Sequence, residues 1–154
     1  MAYGIGAHKT QPHKLPTGSP CHNSPTTMNR EVKFRGKVKG RDEWKYGALL
    51  CYAGVECNII TETGHRIDTW NIDPDTVGQF TGLKDVNGKD IYEGDILAIP
   101  YVYDEPDETV IFCDGCFMVD DGRFKTAFCY AGVTIRSVIG NIHDTPSLLN
   151  EKEI

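Results

Sequence analysis

Turns govern this chain more than any long hydrophobic period does. Short apolar runs are cut about every 8–12 residues by reversal signals, among them Thr63-Gly64, Asn87-Gly88, Gly94 and Asp114-Gly115. Reversal at that frequency leaves little uninterrupted sequence for helices of ordinary length. It favours short strands joined by tight connections. The predicted fold class is mainly β, or β-rich α+β.

Side-chain alternation supports the same reading. "EVKFRGKV" puts Val32, Phe34 and Gly36 on one face, the period expected of a half-buried strand. "YGALLCY" is a short apolar run, and "CNIITET" and "HRIDTWNI" flank Thr63-Gly64 as a hairpin. "DPDT" ends that pairing: the residue before a proline avoids helical geometry, and aspartates cap turns. In "VGQFTGL" the two glycines predict a bulge or a close backbone approach. Asn87-Gly88 predicts a type I′ turn, whose two central residues both need positive φ. Gly94 bends "IYEGDIL", where the Asp95 carboxylate can accept a backbone N–H. Beyond it Ile96, Ala98 and Pro100 face one way, Leu97 and Ile99 the other. "TVIFCDGCFMV" predicts a hairpin about Asp114-Gly115, and "FKTAFCYAG" and "VTIRSVIGNI" two more strands. "TPSLLNEKEI" reads as a helix, capped by Thr145 with Pro146 in its first turn. The expected architecture is a small SH3-like barrel from about Val77 onward, additional N-terminal strands beside it, and a short C-terminal helix.

A chain of 154 residues, 40% apolar and 25% charged, can bury one core of its own. The first 27 residues are rich in Pro, Ser, Thr and His and show no hydrophobic period. Such a segment buries too little apolar area to offset the entropy of ordering. It predicts a flexible tail or upstream extension, with a single domain over 28–154. No apolar run approaches the roughly 18 residues of a membrane span, and "MAYGIGAHKT" lacks the apolar centre of a signal peptide. A cytoplasmic location is expected. The tail holds two lysines and no acid; the other 14 basic and all 22 acidic residues follow it. A folded part with eight more acids than bases repels phosphate backbones, which argues against binding duplex nucleic acid.

Six cysteines, Cys21, Cys51, Cys57, Cys113, Cys116 and Cys129, are expected as reduced thiols in the absence of a secretory signal. Cys113 and Cys116 form a CxxC, half a zinc site. With no second CxxC they read instead as the two strand residues flanking a tight turn, about 5.5 Å apart at Cα. No metal site and no cofactor are assigned. A redox CxxC needs a helix N-terminus to lower the first thiol's pKa, and this one sits in a predicted hairpin. Asp73 and Asp75 flank a proline; Asp104, Glu105, Asp107 and Glu108 surround Pro106. Acids of that kind are solvated loops rather than the desolvated pairs of general acid–base catalysis. His143 precedes Asp144, but sequence neighbours do not face each other along a strand, and no GxSxG, GxxxxGK[ST] or helix-opening GxGxxG occurs. No catalytic residue is assigned. Aromatic side chains offer the remaining binding candidates: Phe34, Phe80 and Tyr92 read as core, while Trp44 and Trp70 are the residues able to line a groove for a base or peptide.

Four stretches together resemble the YopX family of phage and prophage proteins. "VKFRGKV…WKYGALL" is similar to the family's opening. "IDPDTVGQFTGLKDVNGKDIYEGDIL" carries its most specific signature, and "VIGNIHDTPSLL" its closing motif. "TVIFCDGCFMV" fits the variable middle hairpin in position only. The likeness covers about residues 30–150. Cys113, Cys116 and the acidic stretch Tyr103 to Thr109 depart from the pattern. The resemblance implies a β-rich fold and a phage accessory role, with no catalytic or ligand residue to carry over. The expected function is a non-catalytic accessory protein that binds a host or phage protein, with self-association covering exposed strand edges. The alternatives are a small-molecule or single-stranded nucleic-acid binder using Trp44 and Trp70, and a hydrolase.

Overall fold

The structure is a computed structural model and describes residues 30–53, 56–98 and 107–149. The predicted tail, Ile99, Pro100, Asp104, Glu105 and the last five residues lie outside the described residues.

Among the described residues, eleven strands form two antiparallel sheets. In chain order the first six are β1 (Phe34–Lys37), β2 (Trp44–Tyr52), β3 (Glu56–Thr63), β4 (Arg66–Ile72), β5 (Gly78–Lys84) and β6 (Asp90–Tyr92). They make one sheet in the order β4-β3-β2-β1-β5-β6. The rest are β7 (Asp95–Ala98), β8 (Glu108–Cys113), β9 (Cys116–Asp120), β10 (Lys125–Ala127) and β11 (Ser137–Asn141). These form the second sheet, in the order β10-β9-β8-β7-β11. The β-rich expectation holds.

The expected barrel does not close. β5 pairs with β1 through Phe34↔Gln79 and Arg35↔Gly78, so the N-terminal strands continue its sheet instead of packing beside a separate barrel. β6 is three residues long and ends at the Glu93-Gly94 turn, which sends the chain into the second sheet. A strand that short offers too few ladder bonds to bridge the two sheets edge to edge.

Two apolar clusters make up the core, the second shared by both sheets. Val38, Ile59 and Ile72 are packed with Phe34, Leu49, Trp70 and Val77 on one face of the first sheet. Ile91, Leu97, Val110, Val119 and Val133 form the other cluster, with Leu83, Phe128 and Val138 against them. Arg136 fastens that region by bonding Glu108 and the Ala131 carbonyl.

Local turn chemistry explains most connections. Asp114 and Gly115 both have positive φ, 51° and 82°, and Cys113 pairs with Cys116 across them: the predicted two-residue hairpin. Asn87-Gly88 differs from prediction. The reversal spans Asp85 to Lys89, closed by Gly88 N–H on the Asp85 carbonyl at 3.0 Å. The Asp85 carboxylate accepts from Asn87 and Lys89, both at 2.8 Å. An Asx-type side chain four residues before the strand outcompetes the type I′ preference of the Asn-Gly pair. Glycine-rich β5 does bulge: Phe80↔Tyr92 is followed by Lys84↔Asp90, four residues against two.

Three further expectations are corrected. "FCYA", read as part of a strand, is the helix α1 (Phe128–Ala131), ended by left-handed Gly132 at φ 58°; glycine just after a helix is the ordinary stop signal. At the C-terminus, Pro146–Leu149 makes one 3-10 turn rather than the start of a described α-helix. Cys51 and Cys57, expected as thiols, are a disulfide with Cα atoms 4.2 Å apart. They are direct partners in the β2–β3 register, a juxtaposition that depends on where the hairpin turns and not on the cellular address of the chain.

Candidate functional site

β1 delivers Arg35 to the centre of the molecule. Alternation from the half-buried Phe34 predicts an outward-facing residue, yet Arg35 is 6% exposed. Its Nη1 donates to Asp95 Oδ1 at 2.5 Å and Nη2 to the Glu93 carbonyl at 3.0 Å. The guanidinium lies 4.9 Å from the Trp44 ring centroid and 5.1 Å from that of Tyr92. Two aromatic faces thus replace the water a buried cation would lose. Asp95 is 1% exposed, and its second oxygen accepts the Tyr92 N–H at 2.8 Å, the bond predicted from the bend at Gly94. Burial pushes the Asp95 carboxyl up from its ordinary pKa; Arg35 and the Tyr92 N–H pull it back.

The closing motif completes the knot. Asn141 Oδ1 accepts the N–H groups of His143 and Asp144, each at 2.9 Å, and so shapes the turn that aims Asp144 at β1 and β2. Asp144 accepts Trp44 Nε1 at 2.8 Å, Asn141 Nδ2 at 2.7 Å and Lys37 Nζ at 2.5 Å. Burial raises the Asp144 carboxyl, but these donors outweigh it and hold the pKa at about 2. His143 sits with its ring 6.0 Å from Trp44. Burial first, then the charge of Arg35, keeps its pKa below the usual histidine value.

Around this knot the cations and acids are largely matched. Lys33 bridges Asp90 at 2.7 Å and Glu31 at 3.0 Å, and Lys84 also reaches Asp90. Asp90, Asp95 and Asp144 are each committed to two or more donors. Asp90 and Asp144 are held below the ordinary carboxyl range and Asp95 above it. The arrangement is a rigid platform, and its free groups are the Tyr46 ring, half exposed and edge-on to Tyr92 at 5.5 Å, and the Lys89 ammonium.

Trp44 and Trp70 do not share a groove. Trp44 lies on the Arg35 face of the first sheet. Trp70 points to the opposite face, with Ile59 and Ile72, where Lys45 Nζ caps its ring at 3.7 Å and Thr61 takes its Nε1–H. Phe80 and Tyr92 are buried, as predicted. Cys113 and Cys116 are free thiols, half-buried and exposed. Among the described residues no three His, Cys, Asp or Glu gather as metal ligands. No helix there is long and apolar enough to cross a membrane.

The residues of the knot come from three of the four sequence stretches of the resemblance: Arg35, Lys37, Trp44 and Tyr46 from the opening, Tyr92 to Asp95 from the central signature, Asn141 to Asp144 from the close. Residues 33–150 match the YopX protein family. This chain belongs to the YopX family. Two solved structures share its architecture. One is protein EF1440 from Enterococcus faecalis, 26% identical, with a TM-score of 0.53 over 78% of this chain and 99% of that one. The other is protein yopX from Bacillus subtilis, 19% identical, with a TM-score of 0.51 over 76% and 95%. No curated protein sequence matches the chain. In this YopX-family fold the motif residues form a polar tie between the two sheets, beside the apolar cluster that also spans them. Sequence reasoning identified Asp95 as a turn acceptor but missed Arg35, Lys89 and Asp144. The alternating pattern assigns Arg35 to solvent, and nothing local marks it as buried.

Proposed function

We propose that this YopX-family protein is a non-catalytic accessory protein, of phage or prophage origin, that binds a host or phage protein through the outer face of β2–β4. The supporting observation is a row of side chains on the face opposite the Ile59–Ile72 cluster. Tyr46, Ala48, Leu50 and Tyr52 follow one another on β2, and Ile67 lies beyond them on β4. Leu50, Tyr52 and Ile67 are 58%, 81% and 70% exposed. Tyrosine is enriched among binding hot spots, and exposed apolar side chains gathered on one sheet face mark interaction surfaces. Glu56 and Glu62 stand on the same face, directly opposite Tyr52 and Ile67 in the register. Neither has an ion-pair partner among the described residues. An apolar surface rimmed by basic side chains is its complement. A second copy of this chain would bring those acids onto one another.

The test is affinity capture from phage-infected bacteria with the intact protein and two variants, Leu50→Asp and Glu62→Lys. A partner retained by the intact protein, weakened by salt and lost by both variants is the expected result. Equal capture by all three proteins, or no partner at all, refutes the reading. Mass growing with concentration in the protein alone would assign the face to self-association instead.

A further inference from the structure

A cavity of about 550 Å³ opens on the Arg35 face of the first sheet. Glu31–Lys33 lead into it, Tyr46–Ala48 form one wall, and Lys89, Asp90 and Tyr92 form the other. Its volume lies in the range of small-molecule sites. The charges decide what it suits. Glu31, Lys33 and Asp90 satisfy one another. That leaves two cationic donors. Lys89 is exposed and has no ion pair among the described residues. Arg35 lines the cavity, and its Nε–H is buried with no acceptor. Leaving a buried donor unmade costs free energy that a bound acceptor would return. Between the cations, the half-exposed Tyr46 ring presents a flat apolar surface.

From this geometry we infer a binding site for a small planar aromatic anion of mononucleotide size. Its phosphate or carboxylate is held by Lys89 and the Arg35 Nε–H, and its ring lies on Tyr46. The site adjoins the protein-docking face proposed above and shares Tyr46 and Ala48 with it, but it needs Lys89 and Arg35 and not Leu50, Tyr52 or Ile67, so Lys89→Gln separates the two readings. No bond is made or broken; the site holds its ligand by charge, hydrogen bonding and stacking.

Titration of the intact, isotope-labelled chain with four probes tests it: adenosine monophosphate, indole-3-acetate, adenosine and inorganic phosphate. Amide shifts confined to residues 31–35, 46–48 and 89–92 are expected with at least one of the first two. The neutral ring and the bare anion should bind far more weakly. Lys89→Gln should weaken binding roughly tenfold, the size of one lost charged hydrogen bond, as should Tyr46→Ala. Both positions are exposed, so an unchanged melting temperature establishes that the fold is intact. Preference for the nucleotide over the carboxylate, or the reverse, identifies the head group. No shift with either aromatic anion at millimolar concentration, shifts mapping elsewhere, or undiminished binding by Lys89→Gln overturns the inference.

Discussion

Replacing Arg35 by methionine isolates the polar tie between the two sheets. Methionine keeps most of the side chain's apolar stem, so the loss is the guanidinium. Asp95, 1% exposed, then keeps only the Tyr92 N–H on one oxygen, and the Glu93 carbonyl loses its donor. Removing one partner of a buried ion pair costs about 3–5 kcal/mol, chiefly because the other charge stays behind. Stacking on Trp44 and Tyr92 adds about 0.5–2 kcal/mol. Together these make about 3.5–7 kcal/mol against a total stability of roughly 5–15 kcal/mol, which should lower the melting temperature by about 7–28 °C. Replacing both members, as Arg35→Met with Asp95→Leu, removes both charges and should cost less than Arg35→Met alone. Urea unfolding followed by tryptophan fluorescence measures each, and an unchanged m-value confirms that the same surface is exposed. A single-variant loss below about 1 kcal/mol, or a double variant less stable than Arg35→Met, would show that the pair is an incidental contact.

Acid should loosen the protein in two stages. His143, held below its ordinary pKa in the fold, adds stability above the unfolded histidine value that is lost as pH falls through about 6.5. Asp85, Asp90 and Asp144, all held below the ordinary carboxyl range, add stability that disappears between about pH 4 and pH 2. Asp95, raised by burial, works in the opposite sense and above that range: it adds stability as pH falls from its raised value to about 4, and so offsets part of the first stage. Melting temperature against pH checks the order; a flat profile from neutrality down to about pH 4 would remove His143 from it. The cysteines give a separate outcome. Under non-reducing conditions Cys113, Cys116 and Cys129 should react with a maleimide while Cys51 and Cys57 do not, and reduction should cost roughly 2 kcal/mol for so short a loop. Full labelling of all cysteines in the untreated folded protein would refute the disulfide.

Much of this fold is legible residue by residue. The Asp114-Gly115 hairpin, the β5 bulge, the bend at Gly94 with its Asp95 acceptor and the Phe80 and Tyr92 core all follow from the sequence. Each depends on backbone geometry or burial within a few positions of the residue concerned. The errors share a different cause. Asn87-Gly88 lost to an Asp85 side chain just upstream, and "FCYA" was read for its apolar run rather than for the glycine that ends it. Trp44 and Trp70 look alike in sequence, yet strand parity puts them on opposite faces.

The sequence by itself determined where the chain turns, which stretches extend and which family it joins, because positive φ, alternation and capping are local properties. Only the tertiary structure decided what meets at Arg35. Its acceptor Asp95 lies 60 residues away, and Asp144 bonds Trp44 across 100. Contacts of that range depend on how β1 inserts between β2 and β5, and a sheet's strand order is set by the packing of the whole chain rather than by any segment of it.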